Sequence, residues 1–131
     1  MARVPVVRFG RVLVATVQED LYDRDALQLQ VDLADAIERT GAQGVLIDLS
    51  TVDMVDSFLG RLIGEIAAVS RLMGAHTVVA GIQPAVALTL VELGLGLPDV
   101  RTTLNAEKGH LLLLQLVHDD RSERNGTYHG R

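Results

Sequence analysis

Three carboxylates and three hydroxyls stand close together in Asp48-Leu49-Ser50-Thr51-Val52-Asp53-Met54-Val55-Asp56-Ser57. Acidic residues at the ends of parallel strands can hold magnesium and accept a phosphoryl group, as in receiver domains. That chemistry also needs an acidic pair after the first parallel strand and a lysine after a late one. The sole lysine, Lys108, falls in a helical stretch, so Asp48, Asp53 and Asp56 read more simply as solvated loop acids. A serine nucleophile needs a histidine base held by a third group. His76, His110, His118 and His129 are scattered and offer neither that arrangement nor metal-ligand spacing. The chain also lacks a Gly-rich phosphate loop ending in Lys-Ser or Lys-Thr, and a Gly-x-Gly-x-x-Gly turn after a strand.

Ser57 itself has two uses. It sits at or next to the N-cap of a helix, beside backbone N–H groups with no helical partner. It can serve only as a cap, or it can accept phosphate. A phosphate would add roughly −1.5 to −2 charges. The free N–H groups and helix dipole would favour that charge, while Asp53 and Asp56 would oppose it. Such a site lets the fold persist while a small surface changes its preference for a partner. Phe58 and Arg61 flank the serine and are candidates, with Asp53 and Asp56, for protein contact; Phe58 can equally turn inward.

The elements that hold this stretch follow from periodicity. Val4 to Phe9 and Val12 to Val17 are β-branched runs around Gly10-Arg11, a hairpin pattern. Glu19 to Arg24 is an acidic connection. Ala26, Leu29, Leu33, Ala36 and Ile37 recur at helical spacing up to Thr40-Gly41. Val45 to Leu49 is a buried strand. Leu59, Leu62, Ile63, Ile66 and Met73 form the inward stripe of a second helix that Gly74 stops. His76 to Ala80 is a strand, and Pro84 opens a third helix that ends at Gly94. Gly96 and Pro98 mark a loop, Val100 to Thr102 a short strand, and Asn105 caps a fourth helix to about His118. Gly60 and Gly64, four apart inside the second helix, suggest close packing, since glycine there costs about 1 kcal/mol. The order is a hairpin followed by αβαβαβα. That is an α/β fold with a mixed, mostly parallel sheet packed by helices.

The 131 residues, 48% of them hydrophobic but only 3% aromatic, make one domain with an aliphatic core over residues 1–118. Residues 119–131 lose periodicity and read as a polar, disordered tail. The absence of cysteine excludes a disulfide framework and thiolate metal sites. A net charge of −5 with one lysine disfavours nucleic acid and anionic membranes. Arg3, Arg8 and Arg11 interrupt any apolar leader, and no run approaches the length of a spanning helix. These features point to a soluble, cytoplasmic protein.

The run Val45-Leu46-Ile47-Asp48-Leu49-Ser50-Thr51-Val52-Asp53-Met54-Val55-Asp56-Ser57 resembles the signature of the STAS domain of anti-sigma factor antagonists. Gly81-Ile82-Gln83-Pro84-Ala85-Val86-Ala87 and Arg71-Leu72-Met73-Gly74-Ala75 are similar to its stressosome antagonists. The resemblance covers roughly Val4 to His118. It implies a STAS fold and a scaffold with no catalytic activity and no cofactor. Its partners would be a STAS-containing co-antagonist, a serine kinase of the histidine-kinase-like ATPase type, and a phosphatase. Ser57 would be the phosphoacceptor and Asp56 its preceding acid. Two rival functions remain open: a simple anti-anti-sigma factor binding an anti-sigma kinase directly, and a small-ligand module using the loops after Leu49 and Ala80.

Overall fold

The computed structural model describes residues 4–18, 21–97 and 100–129, with side chains to Glu123. Glu19, Pro98 and the last two residues of the expected tail lie outside the described residues. The hairpin is β1 (Val6–Phe9) and β2 (Val12–Thr16). It is followed by α1 (Asp23–Thr40), β3 (Gly44–Asp48), α2 (Ser57–Leu72), β4 (His76–Ala80), α3 (Pro84–Glu92), β5 (Arg101–Thr103) and α4 (Ala106–His129). The five strands lie in the order in which the chain makes them. β1 pairs antiparallel with β2, and every later neighbour pair is parallel.

That order decides where the helices go. Parallel crossovers are right-handed, so three that step in one direction put α1, α2 and α3 on the same face. The strands alternate accordingly. Leu13, Ala15, Val45, Ile47 and Val79 point into the core shared with Leu29, Leu33, Leu62, Ile63, Ile66, Val86 and Leu90. Val12, Leu46, Val78 and Ala80 point the other way, where Leu113 of α4 covers them. Gly41 ends α1 at φ 69°, in the left-handed conformation that glycine takes without strain.

Three expectations are corrected. Met73 is not part of the inward stripe of α2: it caps the helix C-terminus and is 39% exposed, while Ser70 is buried in its place. Gly60 and Gly64 do not share a role. A methyl on Gly60 would meet Leu95 and Leu90 at 2.9 and 3.1 Å, whereas Gly64 has nothing within 4 Å. Finally, α4 does not stop near His118 but runs to His129. Its extension has local support: Gln115 donates to Asp119 at 3.0 Å, and Asp120 lies 2.6 Å from His76 Nε2 at the start of β4. Polar composition argued for a tail, but it does not oppose a helix already nucleated by the packed turns before it.

Candidate functional site

The stretch from Asp48 to Ser57 leaves the carboxyl end of β3, at the centre of the sheet. In open α/β sheets this is the end where functional groups gather. Its course is set by bonds on both sides. Leu49 N–H donates to Ala80 O at 2.9 Å, Thr51 Oγ1 to Val17 O at 3.0 Å, and Gln83 Nε2 to Ser50 O at 2.9 Å. Asp48 turns back to accept from Ser50 N–H at 3.0 Å. Leu49 and Val52 are buried beneath the loop. The loop after β4 comes very close: a methyl on Gly81, at φ 78°, would lie 2.8 Å from Ser50 Cβ. Sequence reading placed Gly81 only within the run Gly81-Ile82-Gln83-Pro84 that opens the third helix. Its role as the contact between two loops required the tertiary structure.

Asp56, not Ser57, is the N-cap of α2. Its side chain accepts from Leu59 N–H at 2.9 Å, with extended backbone at φ −108°. Ser57 is the first helical residue and is half-buried. The division of labour is consequential. One aspartate satisfies the helix terminus, so the serine hydroxyl is not tied up as the cap and no hydrogen bond of that hydroxyl is found among the described residues. Asp53 and Arg61 are exposed, as is Asp56. Met54, between the two acids, is 82% exposed.

Phe58 is half-buried and packs against the main core. Its edge, with Leu21, Val55 and Leu59, lines a shallow pocket of about 210 Å³ beside the serine. The structure therefore gathers Asp53, Asp56, Ser57 and Arg61 on an accessible rim, with Phe58 turned largely beneath it. Sequence reading missed the exposed Met54. The signal available was its place right after Asp53 in a loop outside any helical or strand periodicity.

Loops after Leu49 and Ala80 do meet, as the ligand-module reading requires. They meet by contact of Gly81 with Ser50, which leaves no cleft between them at that point. No group of three or more His, Asp or Glu with metal-binding geometry occurs among the described residues. No described helix is long and apolar enough to cross a membrane.

With this arrangement in view, the comparisons with known proteins are decisive for the family. The STAS domain model matches residues 3–107. The chain belongs to the STAS domain family. A serine-to-glutamate variant of RsbS from Moorella thermoacetica is 36% identical, with a TM-score of 0.79 over 89% of this chain and 99% of that one. A chain from the stressosome, described as a signal integration and transduction hub, is also 36% identical, with a TM-score of 0.76 over 86% of this chain and 98% of that one. The RsbT co-antagonist protein RsbRA of Bacillus subtilis (strain 168) is 30% identical over 87% of this chain. The chain spans only 41% of that relative's length. These similarities connect the mixed five-stranded STAS fold of this chain with stressosome proteins.

Proposed function

We propose that this protein is a non-enzymatic stressosome scaffold and antagonist. It sequesters a serine kinase of the histidine-kinase-like ATPase type and releases it when Ser57 is phosphorylated. The observation that carries the reading is the geometry of the α2 start. Ser57 stands partly exposed at the first helical position, while Asp56 supplies the cap that would otherwise occupy its hydroxyl. A dianion placed there gains from the helix dipole and does not require α2 to unwind. The similarity to RsbS and to a stressosome chain over nearly their whole lengths supports a STAS scaffold of the stressosome. Similarity to RsbRA supports a STAS-containing co-antagonist as partner in a large cytoplasmic hetero-oligomer. A phosphatase resets the serine.

The test is incubation with the kinase and ATP, followed by mass-spectrometric site mapping and a binding assay. Phosphate is expected on Ser57, with Ser57→Ala folding normally and retaining the kinase. Ser57→Asp should weaken kinase binding by about 1–3 kcal/mol. Unchanged kinase binding in both variants would refute the switch. A simple anti-anti-sigma factor, the alternative from the same fold, would remain small when mixed with a co-antagonist, whereas the scaffold assembles into a megadalton-class particle.

A further inference from the structure

Gly64 has no internal reason to be glycine. It lies in the middle of α2, where glycine is about 1 kcal/mol worse than alanine, and a methyl there would meet nothing within 4 Å. It instead opens the floor of a groove of about 620 Å³ between α2 and the segment after α3. Gly60, Ala68, Leu95 and Leu97 make that groove largely apolar; Arg61 and Glu65 line its Ser57 end, and Arg71 lines it ten residues further along α2.

Arg61 joins this groove to the serine. It lies one turn after Ser57, and helical side chains lean toward the N-terminus, so its guanidinium can reach the turn that Ser57 begins. Arg61 has no hydrogen bond or ion pair among the described residues. The charged groups around it are acids. Asp56 is committed to the Leu59 N–H, Asp53 is on the loop, and Glu65 is one turn further along. An acid N-terminal to its cation at this spacing is the favourable orientation, and the reverse is weaker. A phosphate on Ser57 therefore outcompetes Glu65 for Arg61 in both charge and geometry.

Resting on the switch proposed above, we infer that Arg61 reads the state of Ser57. With the serine free, Arg61 pairs with a carboxylate of a protein segment whose neighbouring apolar side chain fills the groove over Gly64. With the serine phosphorylated, Arg61 turns to the phosphate, and the end of the groove next to the serine loses the cation that held the segment. Charge complementarity at one point selects this occupant: an apolar segment with a single carboxylate matches an apolar groove whose end next to the switch carries an arginine without a partner among the described residues.

Phosphoserine can be installed at position 57 by genetic encoding, which makes the first test independent of any kinase. A ³¹P NMR titration of that protein should give a phosphate pKa about half a pH unit below that of the Arg61→Gln version, with Arg61→Lys in between. Equal values with and without Arg61 would overturn the pairing. In the second test the purified kinase that modifies Ser57 is the probe. Arg61→Gln should weaken its binding to the unmodified protein about threefold to tenfold. Gly64→Leu should abolish binding while leaving the phosphate titration unchanged, which reports an intact α2. The loss of affinity caused by phosphoserine should shrink in the Arg61→Gln background. Full, additive losses would overturn the relay while leaving phosphorylation itself intact. A kinase that fails to bind the unmodified wild type removes the switch proposed above, and the titration then decides the Arg61–phosphate pairing by itself.

Discussion

Two glycines one turn apart on α2 should respond to the same substitution with opposite sign. Replacing a helix-interior glycine by alanine gains about 1 kcal/mol from restricted backbone freedom in the unfolded chain and better helix propensity. At Gly64 nothing lies within 4 Å of the added methyl, so that gain is realised with little opposing cost. At Gly60 the methyl meets Leu95 Cδ1 at 2.9 Å and Leu90 Cδ2 at 3.1 Å. Leu90 is buried and Leu95 packs against the core, so neither withdraws freely. Overpacking of this kind costs about 1–3 kcal/mol. Gly64→Ala should therefore be more stable by about 0.5–1 kcal/mol, and Gly60→Ala neutral to less stable by about 2 kcal/mol. With a urea m-value of about 1.5 kcal/mol/M, the Gly64→Ala midpoint rises by roughly 0.3–0.7 M. Equilibrium urea unfolding followed by circular dichroism measures both. A lower midpoint for Gly64→Ala, or equal shifts for the pair, would refute the distinction between a packed glycine and an open one.

Other substitutions test the parts that hold the serine. Asp56→Ala should cost about 1 kcal/mol through loss of the bond from Leu59 N–H, and Asp56→Asn should recover most of it, as read by thermal or urea unfolding. Gly81→Ala combines a positive φ with a clash against the Ser50 backbone and Cβ. It should destabilise the fold by about 2–4 kcal/mol and speed amide exchange in the loop before Ser57. Leu113→Ala should cost about 2–5 kcal/mol because Leu113 is wholly buried between α4 and the sheet. Leu111→Ala, two residues earlier on α4 and 60% exposed, should lie within about 0.5 kcal/mol of wild type.

Much of this was legible along the chain because local chemistry and tertiary fate agreed. The α1 stripe of Ala26, Leu29, Leu33, Ala36 and Ile37 is buried as its spacing required. Asn105 caps α4 by accepting from Lys108 N–H at 2.9 Å. His76–Ala80 is the strand its β-branched run suggested. Failures occurred where a residue's role depended on something distant. Met73 fits a helical period but falls beyond the last turn, where no neighbouring element covers it. The polar run after His118 has no apolar pattern, yet α4 carries it onward and His76 meets Asp120 across the fold.

By itself the sequence determined the alternation of strands and helices, the break before α2, and the presence of a serine beside an acid at that break. Those depend on backbone propensity and short-range periodicity, which act between near neighbours. Only the tertiary structure decided that Asp56 takes the cap and Ser57 the first helical position, that Gly81 presses on Ser50, and that Gly64 faces open space while Gly60 does not. These are matters of distance between segments far apart in the chain. Spacing along a helix records which residues share a face, but not what, if anything, stands opposite that face.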